Sequence, residues 1–353
     1  MTSGAIARDT RVPDPSERAL REIRSPRFES ELSLQLCRAV EQAAIAAAYT
    51  IGRGDPQHSD LLAVEAMRRE LGRLPIDATI VIGEGERDAA PMLYIGEKLG
   101  TASGLDRNRP AIDIAVDPLE GTNLCANAEP NSIAVLAASE RGGLLHAPDL
   151  YMEKIIVGPS ARDAVDLDAP VEDNLRAIAR ALGLRLDDVL VAVLDRPRHE
   201  RLIAKIRGAG ARVHPIADGD LCAGLSTAEP DSGIHAVMGV GGAPEGVLTA
   251  AGLRCLGGEL LARLVISTPE QEERCHAMGI EDCTRVYRAR DLACGEQVIF
   301  AATGVTDGTW LDGVRFLEGE LRTMSLLMQC EPRTVRFIET IHPRNTERPP
   351  TRG

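Results

Sequence analysis

Short apolar runs that end in acidic or glycine-rich turns recur along this chain, and they constrain its fold more than any other feature. Thr79-Ile80-Val81-Ile82 leads into Gly83-Glu84-Gly85-Glu86-Arg87-Asp88, and Ile112-Asp113-Ile114-Ala115-Val116 leads into Asp117-Pro118-Leu119-Glu120-Gly121-Thr122. Further strands are predicted over 132–138, 153–157, 189–194, 211–216, 234–239 and 298–303, and two more β-rich stretches near 321–328 and 333–341. Helices are predicted between them over 172–183, 199–208, 244–254 and 269–278. Upstream, Leu32, Leu36, Val40, Ala43, Ala47 and Ile51 repeat at three or four residues and predict a helix over 29–51. A second helix is expected to start at Ser59 as N-cap, and another to span Pro91 to Leu99. Strands interleaved with helices define an α/β or layered α+β fold.

The turns carry the chemistry. Glu84, Glu86 and Asp88 stand within five residues and repel one another. A chain tolerates that in water, as an ordinary solvated loop, or around a cation. In the second turn Asp117 ends a hydrophobic strand, and Pro118, with no N–H to donate, is expected to stop the ladder. The turn then brings Glu120 beside Asp117, and Gly121 lets Thr122 approach. Two carboxylates, the Leu119 carbonyl and a hydroxyl converge, and such oxygen donors suit Mg²⁺ or Mn²⁺. The plainer alternative is an acidic turn closed by a helix cap at Thr122. Gly239-Val240-Gly241-Gly242-Ala243-Pro244-Glu245-Gly246 precedes a helix. Glu245 is favoured there by the helix dipole, and the glycine N–H groups are candidates to cradle phosphate or sugar oxygens. Asp218-Gly219-Asp220 taken alone reads as an Asx-turn, and Asp60 as a first-turn helix acid. Arg196-Pro197-Arg198-His199 sets two arginines at a strand end, and the planar guanidinium matches phosphate oxygens.

Composition removes whole classes of function. Forty basic against fifty-three acidic residues leave a net charge of −13, which disfavours nucleic acid and anionic membranes as partners. Aromatic residues are only 3%, too few for a base-stacking platform. No apolar run approaches the ~18 residues of a membrane span, and the first residues lack the apolar stretch of a secretory signal. The cysteines at 37, 125, 222, 255, 275, 283, 294 and 330 form no C-x-x-C pair and no zinc spacing. They read as reduced thiols in a cytoplasmic protein. No Gly-Lys-[Ser/Thr] follows the glycine-rich turn, so a nucleotide-binding kinase is not indicated.

Several motifs together resemble the class II fructose-1,6-bisphosphatases. They are Gly83 to Gly96, Val116 to Thr122, Tyr151 to Lys154, Arg196 to His199, Asp218 to Asp220, Gly241 to Gly246, Ile299 to Asp307 and Thr334 to Glu339. The stretch Glu120 to Ala126 is similar to the cyanobacterial branch, which hydrolyses both fructose-1,6- and sedoheptulose-1,7-bisphosphate. The likeness spans about residues 30 to 342. It implies the αβαβα sandwich of the lithium-sensitive sugar phosphatases, with a metal-binding α/β domain over 28–163 and a sugar-phosphate-binding α/β domain over 164–343. Residues 1–27 are expected to be a disordered arm, and 344–353 a tail. The resemblance implies metal ligation by Asp60, Glu84, Asp117, Glu120 and Glu245. It implies sugar-phosphate contacts from Glu120, Gly121, Thr122, Tyr151, Arg196, Pro197, Arg198, Asp218, Gly219, Asp220 and Gly242. Asp88 or Glu86 is the expected proton acceptor, and Thr122 the group that orients water. A homo-oligomer is implied, a tetramer by the cyanobacterial likeness and a dimer by other relatives. The rival readings are an inositol or other sugar monophosphatase of the same fold, and a non-catalytic sugar-phosphate-binding regulator.

Overall fold

The computed structural model describes residues 31–85, 91–101 and 109–343. The expected N-terminal arm, the C-terminal tail, and Glu86 and Asp88 lie outside the described residues. Two sheets and their covering helices make up the rest.

Helix α1 (Glu31–Ala48) buries Leu36, Val40, Ala43 and Ala47, the stripe its spacing predicts. Helix α2 (Pro56–Leu71) starts earlier than expected. Asp55, not Ser59, is the N-cap and accepts from His58 N at 3.0 Å. Ser59 is fully buried, donating to Asp55 O and accepting from Thr50 Oγ1. Strand β1 (Asp77–Ile82) pairs in parallel with β3 (Ala111–Glu120), which pairs antiparallel with β4 (Ile133–Glu140).

Two expectations fail here for physical reasons. The segment from Pro91 forms no helix; it contributes only β2 (Lys98–Leu99), antiparallel to β1. Its backbone groups bond to the acidic turn instead, Glu84 N to Leu93 O at 3.1 Å and Ile95 N to Gly85 O at 3.0 Å. Leu93 and Gly96 take positive φ, which no helix contains. Nor does Pro118 end its strand. Pairing with β4 shifts register between Asp117 and Glu120, so a bulge absorbs the missing donor and the strand runs on.

The first sheet has the order β12-β13-β11-β4-β3-β1-β2, with β14 also on β13. Its later strands are β11 (Ile299–Gly304), β12 (Arg315–Leu317), β13 (Glu320–Cys330) and β14 (Arg333–Pro343). The second sheet has the order β10-β9-β5-β8-β6-β7. It comprises β5 (Tyr151–Val157), β6 (Leu190–Leu194), β7 (Arg212–Ile216), β8 (Ala236–Gly242), β9 (Glu259–Val265) and β10 (Tyr287–Arg288). Thus β5, before residue 163, belongs to the second sheet, and β11 to β14, after it, belong to the first.

The helices sort by which face they cover. Helices α1 and α2 pack on one face of the first sheet against Ile80, Ile114, Leu136 and Ile299. Helix α4 (Val171–Leu182) and α5 (Glu200–Ala209) pack on one face of the second against Val191, Val193 and Met238. Between the sheets lie α6 (Asp220–Ser226) and α7 (Ala243–Leu256), among Val81, Val135, Ile156, Leu260 and Phe300. Helix α7 is buried on nearly every side, which explains why its sequence is apolar all round. Burying each large side chain there contributes about 1.5–3 kcal/mol, so α7 is firmly held, and with it the residue at its start. Among the described residues no helix is long and apolar enough to cross a membrane.

Candidate active site

The bulge at the end of β3 does more than continue the strand. It turns Asp117 and Glu120 toward the first turn of α7, where Glu245 stands. Oxygens of Asp117, Glu120 and Glu245 lie within 4.8 Å of one another. Leu119 N donates to Asp117 Oδ1 at 3.1 Å. Gly121, at φ +75°, caps the short helix α3 (Thr122–Ala126), so the cap expected at Thr122 falls one residue earlier. On the other side Gly242 makes room for Glu245. A Cβ at 242 would sit 1.9 Å from Glu245 Oε2. That oxygen is buried with no hydrogen-bond partner among the described residues.

Like charges this close raise one another's pKa, and burial adds to it. Burial pushes the Asp117 carboxyl up. Burial, then the charge of Asp117, pushes Glu120 well up. Burial pushes Glu245 up to about 7, against the opposing charge of Lys154. Asp60 on α2 and Glu84 after β1 act on each other and belong to the same field. Burial first and Asp117 second push Asp60 up to about 6. Burial, then Asp60 and Asp117, push Glu84 up to about 8. Asp117 therefore acts on every other acid of the expected set. Converging carboxylates, Glu120 buried and Asp117 and Glu245 half-buried, one with an orphaned oxygen, are a donor set that fits a hard divalent cation.

The positive side of the site lies along the ends of β6 and β8. Pro197 opens a short 3₁₀ turn over Pro197–His199. Arg198 donates from Nε and Nη2 to Val240 O at 3.2 and 2.9 Å, and its guanidinium stands 4.8 Å from the Tyr151 ring centre. Arg196 Nη1 donates to Asp195 O at 3.0 Å and Ala217 O at 2.7 Å. Buried His199 is a strut: its Nε2 accepts from Val240 N at 2.8 Å, so Nδ1 donates to Leu194 O at 2.7 Å. Asp218 Oδ1 accepts from Gly219 N at 3.1 Å, and Gly219, at φ +78°, caps α6. Asp220 opens α6, a helix the sequence did not signal, and its Oδ2 accepts from Lys154 Nζ at 2.8 Å.

Lys154 is the residue that sequence reasoning missed. Its position, after Glu153 and at the head of the apolar run Ile155-Ile156-Val157, reads as the polar start of a strand. Cys222 was missed too; burial and then the charge of Glu120 hold its thiol far above the ordinary range. Cys125 is a buried packing residue, its Sγ donating to Ala47 O at 3.8 Å.

A carboxylate cage for a divalent cation, with guanidinium groups on neighbouring strand ends, is equipped to hold an anion against a metal. Residues 30–342 match the family described as bacterial fructose-1,6-bisphosphatase, glpX-encoded, and the chain belongs to that family. It is 48% identical over 341 residues to the D-fructose 1,6-bisphosphatase class 2/sedoheptulose 1,7-bisphosphatase of Synechococcus sp. (strain JA-3-3Ab), covering 91% of this chain and 98% of that one. It is 46% identical over 334 residues to the protein of the same description from Synechococcus elongatus, covering 89% and 97%. A solved inositol monophosphatase from Anabaena (Nostoc) sp. PCC 7120 aligns at 13% identity and a TM-score of 0.27, over 55% of this chain and 69% of that one. That likeness is too slight to define the fold.

Proposed function

We propose that this chain hydrolyses the 1-phosphate ester of fructose 1,6-bisphosphate and also that of sedoheptulose 1,7-bisphosphate. The observation that carries the reading is the meeting of Asp117, Glu120 and Glu245, from β3 and α7, within 4.8 Å. Asp60, Glu84, Asp117, Glu120 and Glu245 would hold Mg²⁺ or Mn²⁺. When bound, the cation supplies Lewis acidity and neutralises phosphate charge. Thr122 orients the attacking water, and Asp88 or Glu86 accepts its proton. Gly121, Asp218, Gly219, Asp220 and Gly242 line the sugar phosphate. Tyr151, Arg196, Pro197 and Arg198 hold the remote phosphate, which aligns the reacting ester.

The helix–sheet–helix–sheet–helix order of the core supports assignment to the αβαβα sandwich of the lithium-sensitive sugar phosphatases. A cytoplasmic homo-oligomer, most simply a tetramer, belongs to the same reading. The test is phosphate release from both bisphosphates and from inositol monophosphate, with Mg²⁺ and with Mn²⁺. Turnover of the bisphosphates above the inositol ester is expected. Inositol monophosphate turned over faster, or no metal-dependent release, overturns the assignment.

A further inference from the structure

A fourth carboxylate stands at the cage, and one buried ammonium holds it. A Cβ at Gly241 would meet Asp220, and one at the next residue, Gly242, would meet Glu245, so the two carboxylates approach the same turn. Asp220 Oδ2 accepts from Lys154 Nζ at 2.8 Å, and both side chains are largely buried, at 10% and 2% exposure. Lys154 sits in the middle of β5, between β8 and β9. Its side chain shares a strand face with Met152 and Ile156, which belong to the core between the sheets. An unpaired ammonium is rarely kept in such a place, because leaving water costs more than packing returns.

The surroundings are shaped around the pair. A Cβ at Gly241 would sit 2.1 Å from Asp220 Oδ2 and 3.0 Å from Lys154 Nζ. A Cβ at Gly246 would sit 3.8 Å from Nζ. Gly241 therefore gives space to the ion pair, while Gly242 gives it to Glu245. Asp220 opens α6 directly after the left-handed Gly219, which fixes where its carboxylate starts.

We propose that Lys154 is a positioning residue that withholds Asp220 from the metal shell and keeps it for the substrate. Asp117, Glu120 and Glu245 then face the cation, while Lys154 engages Oδ2 of Asp220 and leaves Oδ1 to accept from a sugar hydroxyl. Without the ammonium, Asp220 becomes one more anionic ligand at the cage. Cation binding tightens, and the substrate loses a fixed acceptor. The substrate half of this inference rests on the function proposed above; the metal half does not.

The test is Mn²⁺ titration of the metal-free protein followed by electron paramagnetic resonance, with no substrate present. Lys154→Met is expected to bind Mn²⁺ at least tenfold more tightly than the wild type. The double variant Lys154→Met/Asp220→Asn is expected to return to wild-type affinity. Asp220→Asn in the wild-type background, which keeps the lysine, should leave Mn²⁺ affinity within about twofold and raise KM for the bisphosphate with a smaller change in kcat. Unaltered Mn²⁺ binding in folded Lys154→Met overturns the proposal. So does a tenfold weakening in Asp220→Asn, which would make Asp220 a metal ligand; this arm decides the matter if Lys154→Met does not fold. A wild type that binds Mn²⁺ as expected but releases no phosphate refutes the substrate assignment and leaves the positioning role standing.

Discussion

Asp117 dominates at the scale of single residues because its charge bears on Asp60, Glu84, Glu120 and Glu245 alike. Asp117→Asn should therefore have two opposite effects. Turnover falls by about 10²- to 10³-fold, the range that losing one electrostatic contact costs. The metal-free protein, relieved of the shared repulsion, melts at a higher temperature than the wild type in chelator. A variant that keeps near-normal activity in saturating Mg²⁺ removes Asp117 from the metal site. The same acids set a pH dependence. Their pKa values are raised on folding to about 6, 7 and 8 for Asp60, Glu245 and Glu84. The folded state thus holds more protons than the unfolded chain above about pH 4. This contribution to stability is complete below that pH and is lost as pH rises through the folded values. In calorimetry the gain in Tm on adding Mn²⁺ should accordingly grow from pH 5 to pH 8; a gain independent of pH contradicts it. Arg198 gives the third residue-level test. Arg198→Ala should raise KM for the bisphosphate about 10- to 100-fold, the range of a charge-assisted hydrogen bond, with kcat changed much less. A fall in kcat at constant KM would place Arg198 at the reacting ester instead.

At the scale of elements, the glycines decide what the acids do. Gly83→Ala would put a Cβ 1.9 Å from Leu93 O and 2.9 Å from Ile80 Cγ2. Backbone cannot yield there cheaply, so the turn that carries Glu84 must move. Mn²⁺ affinity of Gly83→Ala should fall at least about tenfold, measured by calorimetric titration; wild-type affinity would mean that Glu84 does not depend on this packing. The same contact explains what the sequence hid. The stretch from Pro91 has residues that suit a helix, but its donors and acceptors are used by Gly85 and Glu84, ten residues away or thereabouts, and no local period records that. Pro118 misled in the same way, since a missing N–H predicts an end while the register with β4 supplies a bulge. The regular elements were legible because their signal is local. Helix α1, the elements β5, α4, β6, α5, β7, β8, α7 and α8 (Pro269–Ala277), and the paired strands β13 and β14 follow from spacing alone, whereas α6 and β9 were not signalled.

Across the whole molecule, legibility divides along the same line. The resemblance named five acids as a set, and the structure brings oxygens of Asp117, Glu120 and Glu245 together, with Asp60 and Glu84 in the same field. Lys154 was not assigned a role, because a buried cation announces itself only through the carboxylate it meets from 66 positions away. Sheet membership was equally silent in the sequence: nothing in β11 says that its neighbour is β4. That pairing, Phe300 opposite Ala137 and Ala302 opposite Val135, has a consequence for how the molecule comes into being. On the ribosome, β3 and β4 emerge early, yet the strand that closes their free edge is synthesised only after the entire second sheet. Until Ile299–Gly304 leaves the exit tunnel, β4, the strand that flanks Asp117, has an open border, and a nascent chain halted before that point carries all five acids on an unfinished sheet.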